Sequence, residues 1–118
     1  MSKAAFTIRA FGFYLLALGV ILIIAPNVLL SLSFMPNTTE VWIRVVGVLV
    51  FNIGIYYLYA AKCEATAFFR ASIYSRTFVL VAFAAFWLLG LAKPMLVLFG
   101  AVDFAGGLWT RSALKTEA

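Results

Sequence analysis

Histidine is absent from these 118 residues, cysteine occurs once, and only four residues are acidic. Without histidine there is no Ser-His or Cys-His nucleophilic arrangement, and the common imidazole metal sites are missing. Cys63 stands alone, so it cannot close an internal disulfide, and no paired-cysteine zinc pattern exists. A glycine-rich phosphate loop is also lacking. Glu40, Glu64, Asp103 and Glu117 are widely separated along the chain. These absences predict a non-enzymatic protein with no metal and no cofactor.

Apolar residues make up what is there. The chain is 66% hydrophobic and 11% charged, against roughly 45–50% and about 25% in soluble domains. Four apolar stretches can be marked off, at 10–32, 41–61, 74–91 and 94–109, and crossing the hydrocarbon takes about 17–25 residues. The expected fold is all-α: a single polytopic membrane domain over 1–118, built as a four-transmembrane-helix bundle. No room is left for a soluble catalytic domain. Lys3 and Arg9 before the first stretch resemble the start of a signal peptide. That apolar run is longer than the ~7–15 residues of a signal core and no small-x-small cleavage site follows it, so it is expected to stay as helix one. The turn 36–40 is short, whereas the polar stretch after Lys62 is longer. Within it Phe69, Ile73 and Arg76 recur at helical spacing, which suggests an interfacial segment at about 66–73.

The basic residues set the orientation. Lys3 and Arg9 precede helix one, Lys62, Arg70 and Arg76 fall between helices two and three, and Arg111 and Lys115 follow helix four. Only Lys93 occupies an opposite loop, so the positive-inside rule places both termini in the cytoplasm. Trp42, Tyr59 and Trp109 fit aromatic belts at the two interfaces. The net charge of +5 is thus a topogenic set facing anionic headgroups, with no need for a nucleic-acid partner. Cys63 falls on the same reducing side.

Glycines recur seven apart in three helices, as Gly12 and Gly19, Gly47 and Gly54, Gly100 and Gly107. Seven residues return almost to the same helical face, and small residues let membrane helices approach closely. This stripe gives Asp103 a direction. It shares a face with Leu96, Gly100, Gly107 and Thr110 and should point into the bundle or a protomer contact. A carboxylate in an apolar stretch is rare, which makes it the leading functional candidate. Arg44, three residues before Gly47, lies on or beside the stripe of helix two and is a plausible partner for it.

Three readings of Asp103 stay open. It could be a structural pair or hydrogen bond with Arg44, Asn52, Tyr56 or Tyr57. It could anchor a small-molecule or lipid site between helices. Or it could be a proton-coupled site, where protonation competes with a cationic substrate. Arg44 has a simpler alternative, snorkelling outward to water and headgroups. The candidate binding residues are therefore Asp103, Arg44, Asn52 and Tyr56.

The segment 42–57, with Arg44 before an apolar pair and Gly47, then Gly54 seven further on, resembles helix two of small four-helix membrane proteins of the DoxX-like type. The likeness extends to length and span layout. It implies a compact four-helix bundle, sometimes an accessory to redox or quinone-linked systems, and it carries over Arg44, Gly47 and Gly54. Asp103 lies outside it. Small multidrug-resistance transporters share the length and four helices, but they carry an essential glutamate in helix one, whereas no acidic residue precedes Glu40 here. The expectation is a multi-pass bacterial inner-membrane protein, a binding or accessory protein with an inward polar site. Its partners would be the lipid bilayer, a lipid, quinone or small amphiphilic ligand, and a second copy or another membrane protein. The competing expectation is a proton-coupled carrier of a small amphiphilic or cationic molecule.

Overall fold

The computed structural model describes residues 1–117. Those residues form five helices and no strand: α1 (Lys3–Ile24), α2 (Pro26–Leu32), α3 (Trp42–Lys62), α4 (Thr66–Leu88) and α5 (Met95–Glu117). The all-α class expected from the sequence is thus observed. Three helices, α1, α3 and α4, are long and apolar enough to cross a membrane. The fifth has the length, 23 residues, but carries Asp103, Arg111, Lys115 and Glu117.

The bounds of three expected helices differ, and the last, expected over 94–109, runs on to Glu117. The helix expected over 10–32 starts at Lys3 and breaks after Ile24. Pro26 has no N–H to offer the Leu22 carbonyl and its ring would clash there, so it opens α2 as a first-turn residue instead. The stretch 66–73 is not a separate interfacial piece but the first two turns of α4. Its polar groups are satisfied locally: Ser72 Oγ donates to Phe69 O at 2.7 Å, and Arg76 Nε donates to Ser72 O at 3.2 Å.

Three helices end the same way. Phe34, Glu64 and Gly90 take positive φ values of 58°, 52° and 78°. The next N–H then reaches back to a carbonyl five residues earlier, Met35 to Leu30, Ala65 to Ala60 and Leu91 to Phe86, at 2.8–3.0 Å. Only Gly90 does so without a side chain to crowd. The turn after α3 also holds the start of α1. Ser2 caps α1 through its Oγ, which accepts from Ala5 N–H at 3.0 Å, and its own N–H donates to Glu64 Oε2 at 3.0 Å.

The long helices associate as two pairs, α1 with α3 and α4 with α5, and α1 joins the pairs through α5. Glycine makes the first pair close. A Cβ on Gly19 would come within 2.7 Å of Phe51 Cβ and 2.9 Å of Gly47 O, and one on Gly54 within 3.0 Å of Gly12 O. The stripe in α5 serves α4 instead, with Gly100 against Leu80 and Phe83. By contrast α3 scarcely touches α4 or α5. The dense core, including Ala5, Ile8, Ala61, Phe69 and Ala113, sits where the ends of α1, α3 and α5 meet the start of α4. Toward the other end the two pairs leave a cleft.

The molecule extends 45 × 29 × 18 Å. Its long dimension matches a bilayer with headgroups, about 40–45 Å. Large apolar side chains such as Phe13, Val20, Val48, Ile55, Phe78 and Val81 point outward. Lys3, Arg9, Lys62, Arg70, Arg111 and Lys115 lie toward the same end of the bundle, given how the helices run.

Substituting Gly19 and Gly107 should separate close packing from mere helix preference. Gly19→Ala must push α1 from α3 and is expected to destabilise by about 1–3 kcal/mol. At Gly107 an added Cβ would meet ordinary contacts of 3.7–3.8 Å, so Ala there should be neutral or stabilise by up to ~1 kcal/mol. Denaturant unfolding in micelles measures both, and equal effects would contradict the packing described. The Ser2 contact gives a second expectation. Hydrogen bonding by Ser2 holds the Glu64 carboxyl below the usual glutamate range, so this tie contributes above the unfolded value, ~4.3, and is lost as pH falls through the lower folded value. The Ser2 amide resonance should titrate with a midpoint below ~4.3, and Glu64→Gln should abolish that titration.

Candidate functional site

Arg76, in the tenth position after Thr66 on α4, is 2% exposed. A guanidinium is charged at any accessible pH and carries five N–H donors, so sealing it inside requires partners. Its Nη2 donates to Ser72 Oγ at 2.8 Å and to Thr110 Oγ1 at 3.0 Å. Its flat face rests on the Phe11 ring, 4.7 Å from the centroid, with the Tyr57 ring 5.6 Å away. Residues of all four long helices therefore converge on one side chain.

Thr110 passes the interaction on. Its Oγ1 lies 2.7 Å from Thr7 Oγ1, and Thr7 Oγ1 donates to Ala4 O at 2.7 Å. A hydroxyl has one proton, so with Thr7 committed to Ala4 the shared proton comes from Thr110, whose bond to Gly106 O is longer at 3.1 Å. The result is a directed chain, Arg76 to Thr110 to Thr7 to the backbone of α1. Thr7 and Thr110 are 2% and 0% exposed.

One group is left over. Arg76 Nη1 is buried and has no hydrogen-bond partner. It lies against Gly106, where a Cβ would come within 3.0 Å of it. Asp103 is one turn earlier on α5, half-buried, and lines the same cleft as Arg76. Because Nη1 is unpartnered and Nη2 and Nε bond elsewhere, no hydrogen bond joins the guanidinium to that carboxylate.

The cleft has a volume of about 340 Å³, within the ~300–1,000 Å³ of small-molecule sites. Ser33 lines one end of it, and Tyr14, Tyr57, Ser75, Arg76 and Asp103 line the other. From there it runs past Leu18 and Leu22 to Leu29, Leu30 and Ile43, walled by apolar side chains. Val46, Val50 and Ile53 of α3 face Val79 and Phe83 of α4 across it. This is where the two helix pairs fail to close.

No family profile, curated protein or solved structure matches this chain. The site is therefore read from its own geometry.

Of the four residues singled out from sequence, Asp103 alone lines the cleft. Arg44 does not meet it. Its Nη1 donates to the carbonyls of Ile23 and Ile24, where α1 has been stopped by Pro26, so this cation caps a helix C-terminus and answers its dipole. Asn52 and Tyr56 are exposed on the outer surface of α3, away from the cleft. Arg76 looked topogenic because it follows Arg70 and precedes an apolar run. The signal that distinguishes it is Ser72 one turn earlier, a local acceptor that a snorkelling arginine would not need. No metal-holding cluster of His, Cys, Asp or Glu occurs among the described residues.

Removing the threonine link tests this network. Thr7→Val and Thr110→Val should each destabilise by about 1–3 kcal/mol, Thr110→Val more, since it also strips an acceptor from Arg76. The two should be non-additive by about 0.5–3 kcal/mol in a double-mutant cycle read by unfolding in micelles. Strict additivity would mean that the chain of hydroxyls is not one unit.

Proposed function

We propose that this is a non-enzymatic, multi-pass membrane protein that binds a small amphiphile in the cleft between its two helix pairs. One observation carries the reading: an apolar cleft of about 340 Å³ between the helix pairs is lined at one end by Arg76 and Asp103. The scarcity of catalytic groups favours binding over chemistry.

The membrane setting is part of the proposal. α5 serves as a fourth span beside α1, α3 and α4, with Asp103 turned to the cleft rather than to lipid. We read both termini as cytoplasmic and the membrane as a bacterial inner membrane, a reading supported by the cations toward one end of the bundle and the positive-inside rule. The DoxX-like likeness of 42–57 agrees with such a bundle and with an accessory role. A cationic cargo is disfavoured, since Arg76 lines the polar end of the cleft together with Asp103.

Filling the cleft tests the reading without touching its polar end. Leu18→Trp or Val79→Trp should leave the protein folded and abolish saturable binding of a fluorescent single-chain amphiphile to the protein in nanodiscs. Binding that persists in both variants, with unfolding midpoints unchanged, would place the ligand elsewhere.

A further inference from the structure

A second pocket, of about 510 Å³, lies between α1 and α3 at the cation-rich end of the bundle and shares no residue with the cleft. Arg9 and Phe13 line it from α1, one turn apart on the side of that helix opposite Phe11, Leu15 and Leu18. Leu58, Ala61 and Lys62 line it from α3, with Glu64 in the turn that follows. The antiparallel register brings the two cations together. A Cβ on Gly12 would lie 3.1 Å from Leu58 Cδ2, so one turn nearer the end of the pair Arg9 stands level with Ala61 and Lys62. Both cations are exposed, and among the described residues neither pairs with a carboxylate. The Arg9 guanidinium rests against the Phe13 ring, 5.6 Å from its centroid, which holds the head without using its N–H donors. Glu64 is already engaged, its Oε2 accepting from Ser2 N–H at 3.0 Å. The pocket thus presents two unanswered cations beside one occupied carboxylate.

We infer that this pocket binds an anionic glycerophospholipid of the phosphatidylglycerol type, with its phosphodiester between Arg9 and Lys62. The inference rests on the membrane setting and not on what occupies the cleft. A guanidinium offers a planar fork of N–H donors to phosphate oxygens, and the lysine adds a compact charge beside it. A net anionic head balances the surplus cation of the pocket, whereas the zwitterionic heads of phosphatidylethanolamine and phosphatidylcholine leave it unbalanced. Phe13, 51% exposed, and Leu58 continue the wall toward the middle of the helices. An acyl chain covers that apolar wall, and a free phosphate ion would leave it bare. The size agrees, since about 510 Å³ is far more than a small ion needs beside the ~30 Å³ of one liquid water. Arg9 lays its stem along the apolar wall and turns its head to the polar layer, the usual posture of a cation at a membrane edge.

Native mass spectrometry of retained lipid tests the site. The full-length protein in micelles, in ammonium acetate of physiological ionic strength, is offered equimolar phosphatidylglycerol, phosphatidylethanolamine and phosphatidylcholine with identical acyl chains. Phosphatidylglycerol should be retained as a single adduct, in about tenfold excess over either zwitterion. Arg9→Gln combined with Lys62→Gln should lower that retention about tenfold. Arg111→Gln combined with Lys115→Gln removes the same charge from exposed positions at the same end but outside the pocket, and should change retention less than ~twofold. Thermal unfolding confirms that both double variants are folded. Equal losses in the two double variants would mean diffuse attraction to the basic end and would overturn the inference. Retention of phosphatidylethanolamine equal to that of phosphatidylglycerol in the wild-type protein, or displacement of the lipid by millimolar inorganic phosphate, would overturn it too. Leu18→Trp, which fills the cleft, should leave the adduct in place; its loss there would put the lipid in the cleft and overturn the second site while amphiphile binding stands.

Discussion

A guanidinium enclosed by four helices must be answered from all of them, and Arg76 organises this bundle for that reason. Its bonds reach within α4 to Ser72 and across to Thr110 on α5. Its face lies on Phe11 of α1 and near Tyr57 of α3. Burying a charged guanidinium is expensive unless it is paired and hydrogen-bonded, so these contacts are a requirement before they are a benefit. Gly106 follows from the same need, since a Cβ there would come within 3.0 Å of Nη1.

That closure at one end explains the opening at the other. α1 and α3 are locked face to face by Gly12, Gly19, Gly47 and Gly54, with backbone carbonyls at the contact. α4 and α5 are locked likewise through Gly100. Two rigid pairs joined at the Arg76 end diverge beyond it, and the break at Pro26 folds α2 back over the gap, where Leu29 and Leu30 line the cleft. Arg44 holds that break by capping the end of α1. The polar residue at one end and the cleft above it are thus products of one packing arrangement rather than separate features.

Much of this was legible in the sequence, and the remainder was hidden for physical reasons. Composition gave the helical class, and the seven-residue glycine spacing gave the inward face of Asp103, because both depend on local periodicity. Which helices the stripes bring together did not follow, since spacing fixes a face and not a partner: Gly100 meets α4 rather than the α1–α3 seam. Arg44 and Asp103 share inward-looking positions on paper, but proline at 26 creates carbonyls nearer to Arg44. Arg76 was masked by its neighbours. Next to Arg70 it reads as a topogenic cation, and only the Ser72 and Thr110 acceptors, one local and one 34 residues distant, identify it as buried. Thr7 and Thr110 are ordinary helix residues until a tertiary contact 103 residues apart joins them.

The central claim is that the cleft between the two helix pairs, with Arg76 and Asp103 at its polar end, holds a bound amphiphile. An experimental density map of the protein extracted together with its native lipids tests this most directly. The account expects elongated density in the cleft, with its polar head toward Arg76 and Asp103. A cleft closed by movement of α3 onto α4, with Nη1 bonded directly to Asp103 and no density between them, would contradict it.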